Sequence, residues 1–419
     1  MRARWFLVIG IIAGGLGALA WILARGRVQP APQSPALVGT DLFKSVFSYV
    51  RSNAVDSLTD QDLYRRAAAG VIDELDDPYA VLLLPGREPP PPADVPAPQG
   101  LYLDRRDGSV VIVTTVPGSP AELAGVQSGD LLLGVDTIPV DDLRLDQAVR
   151  LLDGSLGSKV SLRLRRAGRR GLVTVEVIRG RLPRVASVDT ASLPGAVGRL
   201  IIRGFPKGIE DSVRRAALAL RDRGARSLVL DLRGAVGGDL AQGASVADLF
   251  LDAGVSIVQS RSRRSADSVD FRDSTASAFD SIPIAVLVDA GTAGAAEVVA
   301  GALQDHDRAA VLGAITFGRG VTQSTFPLGS GASLRLTTAL WLTPRGRQIQ
   351  RPPRRADGDT IPRPRLRSEG GRVLLGGGGI VPDRMVLSAG TGDSVLTLAR
   401  SILVRGGTTR AVLALVTAH

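Results

Sequence analysis

The distribution of apolar and polar positions divides the chain into stretches of different period. The first is an uncharged run at positions 5–24, with arginines on both sides. A run of about 20 apolar residues is long enough to cross the hydrocarbon core of a membrane as a helix. It therefore predicts a transmembrane helix within a membrane anchor at residues 1–27. A cleaved signal peptide is the alternative, because Ala18-Leu19-Ala20 offers a small-residue cleavage site.

Helical periodicity follows after a linker at residues 28–40. Apolar residues at positions 42, 46, 47 and 50 share one helix face, and residues 63–75 predict a second helix. We assign both helices to an N-terminal helical region at residues 41–86. Residues 87–99 are rich in proline, which favours a semi-rigid linker.

Short strand-like segments separated by turns fill residues 100–183. Apolar runs and alternation predict strands at residues 110–116, 129–133, 159–164 and 172–178, and helices just after Gly118 and at residues 145–152. This density of short strands predicts a small, separate β-rich domain.

From residue 184 to the end, strands and helices alternate. Strands are predicted at residues 197–202, 227–231, 284–288 and 310–312, and helices at residues 209–223, 240–250 and 295–304. Alternation of this kind predicts an α/β core with parallel strands, and a glycine-rich turn at residues 234–238 follows one of them.

Composition narrows the possible chemistry. Cysteine is absent and the only histidines are His306 and His419, which excludes a thiol nucleophile and a histidine-rich metal site. The net charge of +10 comes mostly from arginine, and aromatic residues make up only 4% of the chain. We therefore expect no nucleic-acid partner, no metal and no cofactor.

Two motifs in the β-rich domain carry a resemblance. Residues 118–126 read Gly-Ser-Pro-Ala-Glu-Leu-Ala-Gly-Val, and residues 128–133 read Ser-Gly-Asp-Leu-Leu-Leu. Together they resemble a PDZ domain, which captures a peptide C-terminus as an added strand. The resemblance implies a peptide-binding site whose loop and helix residues are Gly100, Leu101, Tyr102, Leu103 and Val149. The alternative is a PDZ domain that only docks on its neighbour.

Longer motifs in the core, taken in order, carry a second resemblance. They occupy residues 231–238, 292–305, 313–323, 334–339, 343–350 and 376–383, and an upstream segment at residues 75–79 fits the same pattern. In this order and spacing they closely resemble the carboxy-terminal processing peptidases, also called tail-specific proteases. The expected architecture is an α/β peptidase-like core, a mixed sheet with helices, into which the PDZ domain at residues 100–183 is inserted.

The resemblance implies a serine peptidase with a Ser-Lys dyad. The family's serine position falls on Gly294 and its lysine position on Arg319, while the supporting glutamine is present as Gln323. The glycine-rich loop of Gly234, Gly237 and Gly238 corresponds to an oxyanion-type loop.

Both reacting side chains of the dyad are thus replaced. Glycine has no side chain to acylate, and an arginine guanidinium stays protonated and cannot serve as a base. Thr292 is the only hydroxyl in residues 292–297, and no lysine follows Lys207. His306 lies a helix length away, about 15 Å, which disfavours a Thr292–His306 pair.

Three functions remain open at this point. The favoured one is a membrane-anchored pseudo-peptidase that binds polypeptide C-terminal tails without cutting them. The others are an active serine-type endopeptidase that uses unanticipated groups and a purely structural or regulatory membrane partner. Arg319 itself is either a surface residue or a fixed cation beside a helix N-terminus, able to hold a carboxylate.

The resemblance also carries an expectation of location and assembly. With the predicted anchor, it implies a single-pass protein of a bacterial inner membrane. The globular part, which includes the core at residues 184–419, is expected in the periplasm. The helices within residues 42–75 could support a homodimer.

Overall fold

The computed structural model of the protein describes residues 35–75, 77–85, 96–273, 277, 279–352, 363–386 and 393–417. Two compact units divide the chain, at residues 1–74 and 75–419. The predicted anchor at residues 1–27 lies outside the described residues, as do most of the predicted linkers.

The predicted localisation is contradicted by the helices that the structure describes. Within the described ranges, no helix combines the length and the apolar character that a membrane crossing requires. The longest described helix of the first unit has 19 residues but carries Asp41, Lys44 and Arg51. The prediction of a single-pass inner-membrane protein with a periplasmic globular part is corrected on this finding.

The first unit contains two helices that match the two predicted ones. Helix α1 covers Pro35–Asn53 and helix α2 covers Asp60–Asp73. The side chain of Thr59 caps α2 by accepting a hydrogen bond from the Asp62 amide at 3.1 Å, which ends the turn between the helices. The rings of Phe47 and Tyr64 lie 4.6 Å apart and join the two helices.

The second unit begins with a short strand, β1 (Val81–Leu83), and continues into the predicted PDZ domain. That domain consists of β2 (Leu101–Arg106), β3 (Ser109–Thr115), α3 (Pro120–Leu123), β4 (Leu131–Val135), β5 (Ile138–Pro139), α4 (Leu145–Leu151), β6 (Lys159–Arg165) and β7 (Leu172–Ile178). Its sheet has the strand order β2-β3-β4-β6-β7, with β5 paired to β4. Alternate side chains of β6 are buried in the core of the domain, as the period of two predicts.

The α/β core is built on a six-stranded sheet of order β19-β14-β13-β10-β9-β8. Its strands are β8 (Val188–Leu193), β9 (Val197–Ile202), β10 (Ser227–Asp231), β13 (Ile284–Val288), β14 (Ala309–Gly313) and β19 (Arg384–Met385). All neighbours are parallel except β8, which is antiparallel to β9. Every residue of β10, β13 and β14 is buried, as in a sheet covered on both faces.

Helices cover both faces of this sheet. One face packs against α5 (Ile209–Asp222), α6 (Leu240–Asp248) and α7 (Ala295–Asp305). The other face packs against α8 (Ser394–Gly406) and α9 (Thr409–Thr417). The mixed sheet with helices confirms the predicted fold class of the core.

A second, antiparallel sheet completes the unit. It contains β1, β11 (Ser256–Ser262), β12 (Val269–Arg272), β15 (Val321–Pro327) and β16 (Ser333–Leu342), and a separate hairpin pairs β17 (Arg365–Arg367) with β18 (Val373–Leu375). Strand β1 precedes the predicted PDZ domain yet pairs with β16. The PDZ domain is therefore inserted within the core, as expected.

Candidate active site and peptide groove

Gly294, the predicted serine position, lies at the start of α7. Gly294 is the N-cap residue of that helix, with φ 69° and ψ −124°. Glycine adopts such a conformation readily, whereas other residues are strained in it. A Cβ placed on Gly294 would lie 3.3 Å from the carbonyl oxygen of Gly237, so the glycine-rich loop occupies the space beside Gly294.

The predicted oxyanion-type loop packs directly against this position. The Ala295 amide donates to the Gly237 carbonyl at 3.3 Å, and the Gly234 amide donates to Asp289 Oδ1 at 2.9 Å. At Gly238, a Cβ would lie 2.4 Å from Cβ of Phe205, which accounts for glycine there. These three glycines shape the loop, and their oxyanion role stays a prediction.

A buried carboxylate ties the start of α7 to the turn that carries Arg319. Glu297 is fully buried and accepts hydrogen bonds from the Thr316 hydroxyl at 2.5 Å and from the amides of Gly318, Arg319 and Gly294 at 2.7, 2.8 and 3.1 Å. Burial raises the pKa of Glu297 to about 7, against the effect of these four donors. Glu297 thereby holds Gly294 and Arg319, the two predicted dyad positions, beside each other. We call the region around Gly294, Glu297 and Arg319 the dyad cleft.

Arg319 does not face solvent, because its guanidinium is paired with the PDZ domain. Its Nη2 and Nε atoms lie 2.5 and 2.9 Å from Oδ2 of Asp104, a fully buried residue of β2. The hydroxyl of Tyr79 donates to the same oxygen at 3.1 Å. Burial alone would lower the pKa of Arg319, but Asp104 and Tyr79 outweigh it and raise that pKa further. The group at the lysine position is thus a permanent cation.

The other catalytic candidates are engaged elsewhere. Thr292 is fully buried, and its hydroxyl contacts the Leu232 carbonyl at 2.9 Å and Asp289 at 3.1 Å. At the opposite end of α7, the ring of His306 contacts Glu369 at 3.0 Å and the Ser256 carbonyl at 2.7 Å. The structure does not bring Thr292 and His306 together.

Gln323, the retained member of the predicted set, lies outside this network. It belongs to β15 opposite Thr337, and its side chain is exposed. The structure therefore brings together Gly294, Arg319 and the glycine-rich loop but leaves Gln323 on the strand that follows.

The predicted peptide-binding residues surround one edge of the PDZ sheet. Leu101 and Leu103 of β2 point into the domain core, and Tyr102 and Val149 are half-buried. Gly100 has φ 83° and donates its amide to the Ala97 carbonyl at 2.8 Å. We call the edge of β2 that faces α4 the PDZ groove.

The PDZ domain packs its outer face on the dyad cleft. Val111 and Val113 of β3 form one buried cluster with Val236, Ala293 and Phe317 of the core. Together with the buried Asp104–Arg319 pair, this cluster joins the two domains through apolar and ionic contacts at once.

Arg106, at the end of β2, adds a further contact between the two domains. It donates to the Phe317 carbonyl at 2.7 Å, and its guanidinium lies 4.1 Å from the centroid of the Phe317 ring.

Comparison with known proteins places this geometry in a family. A family model described as Peptidase family S41 matches residues 196–357, and one described as PDZ domain matches residues 111–166. The carboxy-terminal processing protease CtpA of Bacillus subtilis is 30% identical over 356 residues, covering 84% of this chain and 75% of that protein. The chain belongs to the carboxy-terminal processing peptidase family.

Other members of the family agree with this placement. The carboxy-terminal-processing protease of Bartonella bacilliformis is 32% identical over 316 residues, covering 74% of this chain and 72% of that protein. A solved photosystem II D1 C-terminal processing protease has a TM-score of 0.65 at 26% identity and covers 88% of this chain and 91% of its own. Both family models lie inside the predicted ranges for the PDZ domain and the core, and the remaining domain boundaries stay predictions.

Sequence reasoning missed the PDZ side of the dyad cleft. Asp104 and Arg106 were not singled out, and Tyr79 was read only as part of an upstream motif. The available signal was an acidic residue, Asp104, directly after the apolar and aromatic residues Leu101, Tyr102 and Leu103 of the same strand. A carboxylate at such a position is buried only when it has a charged partner.

Proposed function

We propose that this member of the family binds polypeptide C-terminal tails through its PDZ groove and does not hydrolyse them. One observation carries the proposal: the group at the lysine position is an arginine paired with a buried aspartate of the PDZ domain. Such a cation cannot remove a proton from a nucleophile. Gly294 supplies no nucleophile beside it, so acyl transfer lacks both of its reacting groups.

The PDZ groove supports the binding half of the proposal. Strand β2 is an edge strand of its sheet and pairs there with β3, and among the described residues one further bridge joins its first residue, Leu101, to Ala97. A peptide added antiparallel to an exposed edge gains main-chain hydrogen bonds, and the nearby loop amides favour a terminal carboxylate. If the protein had a purely structural role, no peptide would bind at this edge.

A hydrolysis assay on an unstructured tail, combined with labelling by a serine-reactive fluorophosphonate, tests the absence of chemistry. We expect neither cleavage nor labelling of the wild-type protein. Labelling that maps to Thr292, or cleavage that Thr292→Ala abolishes, would restore the alternative of an active peptidase.

We expect that restoring an active Ser-Lys dyad requires three substitutions rather than two. A lysine placed at position 319 by Arg319→Lys would lie beside Asp104, and that carboxylate would hold the lysine protonated. We therefore expect Gly294→Ser with Arg319→Lys to remain inactive at neutral pH. Adding Asp104→Asn removes the anion and provides the sharper positive control.

Binding is tested by titration with a peptide that ends in an apolar residue and with its C-terminal amide. The proposal expects the free acid to bind at least several-fold more tightly. Equal affinity for both peptides would favour the alternative of a structural or regulatory partner.

A further inference from the structure

A group of arginines lies where the PDZ groove meets the dyad cleft. Arg106 donates to the carbonyl of Phe317 at 2.7 Å, and Arg351 donates through Nη2 to the carbonyl of Thr316 at 3.1 Å. Because these carbonyls belong to consecutive residues, the two guanidinium groups converge on one short turn. The Arg351 amide also donates to the Gly318 carbonyl at 3.0 Å, next to Arg319.

The positive charge at this point is incompletely balanced. Burial, together with the charges of Arg106 and Arg363, lowers the pKa of Arg351 to about 10. Glu297 and Asp107 oppose this effect, but Glu297 already accepts four hydrogen bonds. Three arginines, Arg106, Arg351 and Arg363, thus act on one another, and among the described residues two carboxylates, Glu297 and Asp107, oppose them in the surroundings of Arg351. An added anion would therefore be stabilised here.

A peptide bound in the PDZ groove would extend along β2 toward these arginines. Strand β2 runs from Leu101 to Arg106, and a tail added antiparallel to it has its terminal carboxylate near Leu101. At about 3.3 Å per residue, the five steps along β2 cover about 17 Å. Side chains roughly five to eight residues before the end of a bound tail therefore reach Arg106 and its neighbours.

We propose that Arg106, Arg351 and Arg363 form an anion site that selects polypeptide tails with acidic side chains upstream of an apolar C-terminus. This inference rests on the proposed tail binding and names its substrate class. The free carboxylate and the acidic side chains are held at opposite ends of β2, so the two requirements are separable.

Two 12-residue peptides that differ only at the fifth to eighth positions from the end test the site. One carries glutamates there and the other glutamines, and both share an apolar last residue. Fluorescence anisotropy with the wild-type protein should show about tenfold tighter binding of the glutamate peptide. Equal binding of the two peptides, with preference for the acid over the amide intact, overturns the anion site alone.

Arginine variants test which residues cause the preference for the glutamate peptide. Arg363→Gln changes an exposed side chain and Arg351→Gln a half-buried one, and each should reduce the glutamate preference several-fold. Arg170→Gln removes the same charge from the exposed β6–β7 turn, at the opposite side of the PDZ sheet, and should leave the preference unchanged. An equal reduction by all three variants would indicate a general field of the basic protein and overturn the site. Loss of the acid-over-amide preference in the wild type would instead refute the proposed function.

Discussion

The PDZ groove and the dyad cleft lie in one compact unit, yet they use their polar groups in opposite ways. In the PDZ groove, β2 lies at the edge of its sheet and, beyond the bridge of Leu101 to Ala97, pairs only with β3 among the described residues, so it offers an edge to a partner. In the dyad cleft, Glu297 has four donors and Arg319 is paired with Asp104. The backbone around Gly294 and Arg319 is thus held by contacts that require neither a serine nor a lysine at these positions. Stability experiments should respond to changes in the cleft, and binding experiments to changes in the groove.

The largest expected effect comes from breaking the ion pair between the domains. Asp104→Asn leaves a buried guanidinium without its counter-charge, which typically costs about 3–5 kcal/mol of unfolding free energy. We also expect faster hydrogen exchange in β2 and in residues 316–319, because the PDZ domain would detach locally. Urea unfolding and exchange measured by mass spectrometry check both effects.

A second buried pair serves as the matched control. Arg347 and Asp305 lie 2.5 Å apart within the core, with side chains 2% and 0% exposed. Asp305→Asn should destabilise the protein similarly without raising exchange in β2. Replacing both partners by Asp104→Leu and Arg319→Met should recover most of the loss, and failure to recover would show that the pair itself is not the cause.

The next effect is a pH dependence centred on Glu297. Burial raises its pKa from an ordinary value of 4.5 to about 7, so the folded protein keeps this proton to higher pH than the unfolded chain. The corresponding stability is fully present below pH 4.5 and is lost as pH rises through 7, at about 1.4 kcal/mol per pH unit within that window. Relative to Glu297→Gln, the wild type should be more stable at pH 5 than at pH 8. A stability difference between the wild type and Glu297→Gln that stays constant from pH 5 to pH 8 would contradict the assignment.

A smaller effect is expected from restoring a side chain at the serine position. Gly294→Ser places a Cβ at φ 69° and 3.3 Å from the Gly237 carbonyl, at a cost of about 1–3 kcal/mol. Gly254→Ser provides the control, since Gly254 has φ 88° but nothing within 4 Å of its added Cβ. Thermal unfolding should rank Gly294→Ser below Gly254→Ser. The reverse order would mean that Gly294 is not under strain from the glycine-rich loop.

The smallest effect on stability is expected in the PDZ groove. Val149→Thr exchanges a half-buried methyl group on α4 for a hydroxyl of similar size and should change the unfolding free energy by less than about 1 kcal/mol. The affinity for a tail with an apolar last residue should nevertheless fall several-fold. A large loss of stability with unchanged affinity would place Val149 in the domain core rather than in the groove.

The elements that local patterns specify were predictable. Strands Ser227–Asp231 and Ile284–Val288 have the bounds that their apolar segments predict, because each is buried on both faces. The assignment of the serine and lysine positions to Gly294 and Arg319 rests on motif spacing and stays a prediction. The localisation prediction rested on residues 5–24, which lie outside the described residues, and no described helix supports it.

The contacts between distant segments were not predictable in the same way. Nothing near Asp104 in the sequence indicates that its partner is Arg319, because only the docking of the two domains brings them together. The pairing of β1 with β16 has the same origin. The periodicity of apolar residues indicates which face of a helix or strand is buried, but it does not indicate which other element covers that face.

The pairing of β1 with β16 also determines how late in synthesis the folding of the core can be completed. Val81 pairs with Arg335, so β1 cannot pair with β16 until about 250 further residues have been added to the chain. At 5–20 residues per second, the wait is on the order of ten seconds to a minute. The PDZ domain, whose strands pair mostly with near neighbours in sequence, is complete well before then. A nascent chain therefore presents a folded PDZ domain before the core against which that domain docks has been completed.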